Sequence, residues 1–344
     1  MLREVTGRTA FITGIAGQDG SYLTEFLLKK GYRVVGMVRR SSVVTRPRID
    51  HLHVEASAMP GLILEYGDMS DGSSLRRIIN KYAPAEIYNL AAQTHVRVSF
   101  EQPEYTSDVT GMGVLRLLEA VQDHVAQTGH QVRVFQASSS EIFGTSPVPH
   151  DETTPFHPRS PYGVAKLTGY WHMVNYREAH GLFCANGIMF NHESARRSEA
   201  FVSRKITRAA GRIKVGLQSE LYLGNLEAKR DWGYAPEFVE AMWLMLQAEQ
   251  PDDFVVATGE SRSVRDFLDA AFAFVGLDWK HYVKFNPYYI RPAEISDSLG
   301  NAAKARRLLG WAPQVGFSRL IQIMMAHDLD LAEREAHALR FGKS

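Results

Sequence analysis

Short apolar runs alternate with longer amphipathic stretches through the first half of the chain. Thr9–Thr13 (TAFIT), Arg33–Val38 (RVVGMV), Leu62–Tyr66, Glu86–Leu90 and Val132–Ala137 are too short for stable helices and rich in strand-forming side chains. Between them, segments around Ser21–Lys30 (closed by Gly31), Leu75–Tyr82, Gly111–Gln127 and Tyr162–His180 read as helices. Apolar strands separated by helices predict a parallel α/β sheet, doubly wound and covered on both faces. After about Phe190 the rhythm changes. The irregular, Arg-rich segments Asn191–Arg204 and Gly224–Tyr234 are mixed with helices, which predicts a smaller C-terminal α/β lobe. The expected division is residues 1–190 for the first lobe, with a returning segment at about 236–260, and 191–235 plus 261–344 for the second.

Composition narrows the classes. The chain has 344 residues, 45% hydrophobic and 22% charged, an ordinary globular profile. A net charge of +1 provides no global field for nucleic acid or an anionic membrane, so neither is an expected partner, and an anionic ligand must be held by local basic groups. One cysteine, Cys184 in an apolar run, excludes an intrachain disulfide framework and is read as a buried, inert thiol. The first residues lack the apolar core of a signal peptide, and no stretch approaches the roughly 20 apolar residues of a membrane span. A cytoplasmic location without a metal site is the expectation.

The first strand runs into Gly14-Ile15-Ala16-Gly17-Gln18-Asp19-Gly20. Glycines between a first strand and a first helix allow a tight turn and let a pyrophosphate approach backbone N–H groups, the mark of a Rossmann-type dinucleotide site. The second strand ends in Val38-Arg39-Arg40-Ser41-Ser42. An NAD site commonly carries an acidic residue there. Two arginines and two serines suit a 2′-phosphate instead, which points to NADP. Asp68 and Met69, after the third strand, are placed for the adenine, although Asp68 also reads as a helix cap. Leu90-Ala91-Ala92-Gln93, after the fourth, offers small residues close to a dinucleotide.

Tyr162-Gly163-Val164-Ala165-Lys166 places a phenol and an ammonium on one helix face, with Cα atoms about 6 Å apart. An adjacent ammonium favours phenolate, so Tyr162 suits proton abstraction from a sugar hydroxyl. Ser139 and Glu141 follow the fifth strand, at the carboxyl edge where open α/β sheets place ligands. Alcohol oxidation needs the hydroxyl, tyrosine and lysine. Elimination needs one more base, and Glu141 is suitably placed for it.

These runs, with EIYNLAAQTHV, PFHPRSPYGVAKL, NHESARR, GNLEAKRDWGYAPEFVEAMWLMLQ and IRPAEI, resemble the extended short-chain dehydrogenase/reductases and, within them, the GDP-mannose 4,6-dehydratase family, over roughly residues 8–330. The resemblance implies a lyase: Tyr162 with Lys166 deprotonates the sugar 4-hydroxyl during oxidation at C4, Glu141 removes the C5 proton, Ser139 helps water leave from C6, and hydride returns to C6 from a tightly bound NADP. It also implies NADP contacts from Gly14 to Gly20, Arg39 to Ser42, Asp68, Met69, Leu90, Ala91, Ala92, Gln93, Thr94, Tyr105, Lys166, His192 and Arg197. GDP-sugar contacts are implied for Asn191, Lys205, Arg230, Arg291 and Glu294, and assembly as a homodimer or homotetramer. The chain departs from the family at Ser139 (usually threonine) and at Ala195 and Ser198 (usually proline and glycine), which leaves GDP-manno-heptose as an alternative substrate. A nucleotide-sugar reductase or epimerase would share Tyr162 and Lys166 without needing Glu141.

Overall fold

The structure is a computed structural model that describes residues 7–42, 46–54, 61–290 and 292–341. In chain order the elements are β1 (Thr9–Thr13), α1 (Gln18–Lys29), β2 (Arg33–Val38), α2 (Asp50–Val54), β3 (Leu62–Tyr66), α3 (Gly72–Tyr82), β4 (Glu86–Asn89), α4 (Val96–Glu101), α5 (Pro103–Ser107), α6 (Gly113–Thr128), β5 (Arg133–Ser139), α7 (Pro161–His180), β6 (Phe183–Met189) and β7 (Asn191–Glu193). There follow α8 (Val202–Lys214), β8 (Leu221–Leu223), β9 (Lys229–Tyr234), α9 (Ala235–Gln247), β10 (Asp253–Val256), β11 (Ser261–Ser263), α10 (Val264–Phe274), β12 (Val283–Phe285), α11 (Ala303–Leu309) and α12 (Phe317–Phe341).

Seven strands form one parallel sheet in the order β10-β6-β5-β4-β1-β2-β3, the expected doubly wound Rossmann-type class. Strand order reverses between β1 and β4, so a crevice opens at their carboxyl ends. One face packs Leu23 and Leu27 of α1 against Phe238, Met242 and Met245 of α9. The other packs Ile78, Leu117, Val121 and Met173 of α3, α6 and α7 around Phe11, Val35 and Ile87. Cys184 lies in this second core, and burial pushes its thiol up to about 12. The second lobe gathers α8, α10 and α12 around Ile206, Phe267, Phe272 and Met324, beside a three-stranded sheet β11-β9-β7 and a pair β12-β8.

Two helices start three residues earlier than the sequence expectation. The first helix begins at Gln18, three residues earlier than expected, because the turn ends at Gly17 and Gly20 already lies inside α1. A Cβ on Gly20 would sit 2.5 Å from the carbonyl of Gly14, so this glycine lets the helix press onto the turn. Asp68 does not cap α3. Asp71 does, accepting from Ser73 N (3.0 Å) and Ser74 N (3.3 Å), which starts the helix at Gly72 rather than Leu75.

The sheet is completed by chain that returns from the second lobe. On β10, Asp253 accepts two hydrogen bonds from Arg177 (2.9 and 2.8 Å), one from Tyr170 Oη (2.9 Å) and one from Asn186 Nδ2 (2.9 Å). Burial pushes the Asp253 carboxyl up, but the Arg177 hydrogen bonds and charge outweigh it and hold it below its ordinary value. Asp253→Ala should therefore cost about 3 kcal/mol at neutral pH in urea denaturation, since the part-buried Arg177, still bonded to the Cys184 carbonyl, loses its carboxylate partner. A carboxyl held low contributes stability above its unfolded value and loses it as pH falls through the folded one. The gap between wild type and variant should close below about pH 4; a gap under about 0.5 kcal/mol at pH 7 would show the staple to be dispensable.

Candidate active site

The crevice begins at the β1–α1 turn. Gly14 has φ +70°, and a Cβ there would lie 2.9 Å from the amide nitrogen of Ala91, so the first and fourth strand ends approach closely only because residue 14 is glycine. Thr13 fixes the same junction. Its Oγ1 donates to Asn89 Oδ1 (2.6 Å) and accepts from the amides of Leu90 and Ala91 (both 3.1 Å), while Asn89 Nδ2 donates to Gln136 on β5 (2.6 Å). This buried polar row aligns three strand ends. It carries no spacing signal in the sequence.

Above it lies a cleft of about 1340 Å³, lined by Gly14, Ala16, Gly17, Arg39, Arg40, Ser41, Asp68, Met69, Leu90, Ala91, Ala92, Thr94 and Tyr105 among the residues singled out from sequence. Its size and glycine floor fit an extended dinucleotide, with the amino end of α1 facing the cleft. Arg39 donates to Tyr105 Oη across the mouth at 2.8 Å. Asp68 accepts from Ser70 N (2.9 Å) and Ser70 Oγ (2.8 Å). Several of the expected residues do not line this cleft, Asp19, His192 and Arg197 among them; the Ile15 side chain is buried in the core, Gln18 and Gly20 pack below the turn, and Ser42 is exposed beyond it. Gln93 turns its side chain into its own loop, bonding His95 and Thr106. Arg46, Tyr66 and Arg77 also line the cleft and were not anticipated.

The catalytic candidates meet at the carboxyl end of β5. Ser160 caps α7 by accepting from Gly163 N (3.0 Å), with Pro161 in the first turn, and this seats Tyr162 at the start of the helix. The Tyr162 phenol hydrogen-bonds Ser139, whose Oγ also accepts from Glu141 N (3.3 Å). Burial pushes the phenol up to about 12; Ser139 and Arg197 pull it down, and the charges of Glu141 and Asp19 add to the rise. Lys166 is buried, and desolvation lowers its ammonium to about 8. The i,i+4 spacing does put both groups on one face, with Nζ 5.8 Å from the Tyr162 ring centre. Nζ donates to the carbonyl of Ala137 (2.6 Å), not to the phenol, and the expected lowering of Tyr162 by Lys166 is not what the geometry produces.

A tether joins this group to the glycine turn. His192 Nε2 meets Asp19 Oδ2 at 2.8 Å, His192 Nδ1 bonds the Phe190 carbonyl (2.7 Å), and the ring stacks on Phe238. Gln18 Nε2 donates to the His192 carbonyl (3.0 Å), and Ser194 donates to Gln18 Oε1 (2.8 Å). Burial alone would raise Asp19, yet the His192 charge and hydrogen bond, with Gln18 and Arg197, bring it down to about 2. Burial disfavours imidazolium at His192, but Asp19 outweighs it and raises the ring above its ordinary value. Arg197 lies 3.1 Å from Glu193 and over the Phe201 ring, beside the site. Arg204 holds the carbonyls of Ala195 and Arg197, and Ser198 Oγ accepts from Ala200 N (3.4 Å), so the loop is braced despite alanine and serine at 195 and 198.

The expected sugar contacts fall in three places. Asn191 opens β7, two residues past Met189, which pairs with Ser139. Arg230 is buried, bonded to the Ile295 carbonyl (2.8 Å) and paired with Glu294 (3.2 Å). Lys205 donates to the Tyr222 carbonyl (2.7 Å) and sits over the Tyr289 ring (3.4 Å), in a separate cavity of about 290 Å³. Arg291 lies outside the described residues. Among those described, no cluster of side chains suits a metal ion and no helix is long and apolar enough to cross a membrane.

Comparison with known proteins agrees with this geometry. The sequence model of a family described as GDP-mannose 4,6 dehydratase matches residues 11–324. GDP-mannose 4,6 dehydratase 2 of Arabidopsis thaliana is 58% identical over 330 residues, covering 95% of this chain and 88% of the relative. The Homo sapiens GDP-mannose 4,6 dehydratase is 48% identical over 349 residues, covering 96% and 93%. Among solved structures, Thermus thermophilus UDP-glucose 4-epimerase in complex with NAD superposes with a TM-score of 0.78 at 27% identity, covering 93% of this chain and 98% of that one. The family match spans nearly the whole chain, both lobes included, and on that ground this chain belongs to the GDP-mannose 4,6-dehydratase family.

Proposed function

We propose that this chain dehydrates GDP-mannose to GDP-4-keto-6-deoxymannose with a tightly bound NADP that is not consumed overall. Family membership supports the reaction. The observation that carries the mechanism is the junction at β5, where the Ser139 hydroxyl bonds the Tyr162 phenol and the charge of Glu141 acts on it. A second base beside the phenol serves elimination, which simple alcohol oxidation does not require. The Gly14 and Gly17 floor, Thr13 and the cleft volume fit a nicotinamide dinucleotide. Arg39 and Arg40, with no acidic residue at the end of β2, favour the 2′-phosphorylated form.

When bound, the nicotinamide supplies a reversible hydride acceptor. Tyr162 takes the proton of the sugar 4-hydroxyl, which Ser139 orients. A phenol at about 12 needs positive charge nearby to ionise at neutral pH; the Arg197 charge already pulls it down, and Lys166, on the same helix face but held by the Ala137 carbonyl, assists by its position rather than by lowering the resting phenol. The ketone at C4 acidifies the C5 proton, which Glu141 removes, and Ser139 donates toward the hydroxyl leaving C6. Asn191, Lys205, Arg230 and Glu294, with Arg291, hold the nucleotide sugar in this reading. A Rossmann lobe of residues 1–190 completed by about 236–260, homodimeric or homotetrameric assembly and a cytoplasmic location belong to the same proposal.

In a mass-spectrometric assay, wild type should remove water from GDP-mannose. Turnover of GDP-manno-heptose alone would reassign the substrate. Glu141→Gln should abolish the 4-keto-6-deoxy product, and an unchanged rate would remove Glu141 from the mechanism. Tyr162→Phe should lower kcat about 100-fold or more; retention of a tenth of the activity would count against its role as base. A lysine lowered to about 8 imposes a folding penalty below that pH, relieved as pH rises toward its ordinary value. Lys166→Met should accordingly lose activity yet match or exceed wild-type stability at pH 7, by up to about 3 kcal/mol in chemical denaturation. A clear loss of stability would show that the buried ammonium supports the fold.

A further inference from the structure

Four guanidinium groups line the cleft where β2 and β3 end: Arg39, Arg40, Arg46 and Arg77. Arg77 is engaged by Glu65 (3.0 Å) and the Tyr66 carbonyl (2.8 Å), Arg39 by Tyr105 (2.8 Å), and Arg40 lies over the Tyr66 ring (5.8 Å). Arg46 stands apart. Its side chain is only 23% exposed, and its Nε is shut off from solvent with no hydrogen-bond acceptor among the described residues. The Asp50 carboxylate lies 3.8 Å away, beyond hydrogen-bond reach, and is itself half exposed. Arg97, Arg197 and Arg208 also hold a guanidinium nitrogen in this state, but of the four only Arg46 lines the cleft.

The backbone beneath this side chain is anchored. The Arg46 carbonyl accepts from the amides of Ile49 and Asp50 (both 2.9 Å), and Ile49 and Leu52 are buried in the core of the first lobe. Pro47 confines the preceding residue to extended conformations. Arg48 Nε donates to the Arg196 carbonyl (2.6 Å), tying the same turn to the His192 loop. The guanidinium thus projects from a fixed turn into the cleft.

We propose that Arg46 is a phosphate-binding residue of this cleft, its guanidinium donating to the 2′-phosphomonoester of the bound dinucleotide beside Arg39 and Arg40. The proposal rests on the NADP reading. A phosphomonoester carries nearly two negative charges and several acceptor oxygens, more than one guanidinium can satisfy. Arg39 already spends one N–H on Tyr105, so a third donor is in keeping with the demand. Asp50 competes weakly, as an exposed partner at ion-pair distance only, and its pairing is readily given up.

Calorimetric binding of adenosine 2′,5′-bisphosphate and of ADP to the full chain freed of its nucleotide tests this without turnover. Wild type should bind the 2′-phosphorylated probe more tightly. Arg46→Ala should weaken that probe about tenfold and ADP less than twofold. Arg46→Lys, which keeps the charge but not the planar fork, should fall between. Asp50→Asn should leave the 2′-phosphorylated probe as tight or tighter; a loss equal to that of Arg46→Ala would mean the pair merely supports the turn, overturning the proposal. Equal losses for both probes, or none, in Arg46→Ala with wild-type preference intact would also overturn it while leaving the NADP reading standing. A wild type with no preference for the 2′-phosphorylated probe would sink the NADP reading itself, and Arg46 with it.

Discussion

The Asp19–His192 contact is the constraint on which the site depends. Asp19 comes from the first turn of α1, His192 from the strand that leaves the parallel sheet, and their 2.8 Å contact closes the junction between the two lobes. Gln18 and Ser194 repeat the connection on either side. Because the pair is desolvated, its charges reach further than they would in water. The Asp19 carboxylate acts on both Tyr162 and Lys166, opposing phenolate and favouring ammonium, while Arg197 pulls the other way at Tyr162. Burial is the largest influence on both groups, and the tether that sets the geometry adds to it.

That balance places the proton on the phenol and weakens the hold of the lysine on its own. Burial pushes Tyr162 up to about 12 and Lys166 down to about 8, each toward its neutral form. A site built this way is costly to fold and cheap to trigger, since any positive charge arriving near the phenol finds little water to screen it. Ser139 links the two carriers of chemistry: its hydroxyl meets the phenol, and it starts the short turn that presents Glu141.

Much of this was legible in the chain. Apolar runs between helical segments located the parallel sheet, and the glycines after β1 located the turn at its switch point. Residues near one another in sequence, such as Tyr162 with Lys166 or Ser139 with Glu141, could be grouped because helix and turn geometry act over a few positions. The turn's end at Gly17 was obscured because Gly20 serves packing inside α1, and the cap of α3 belonged to the neighbouring aspartate, Asp71. Contacts between distant segments left no local trace. Thr13 with Asn89 and Gln136, Lys166 with the Ala137 carbonyl, and Asp19 with His192 are consequences of how the strands stack. The expectation that Lys166 would itself depress Tyr162 failed because spacing fixes the Cα positions, whereas the long lysine side chain found a carbonyl instead.

The seventh strand has a consequence for biogenesis. β10 pairs with β6 in register from Asp253 with Asn186 to Val256 with Met189, and Arg177, Tyr170 and Asn186 converge on Asp253. A ribosome that has released residues only as far as β6 has therefore delivered a sheet whose β6 edge is unpaired and a part-buried arginine still waiting for its counter-ion. The parallel partner arrives only after α8, β8, β9 and α9 have emerged, and long-range parallel pairing closes slowly. The nascent chain must keep that edge from other strands in the interval, and a chain cut at residue 190 would leave β6 without the strand that covers it.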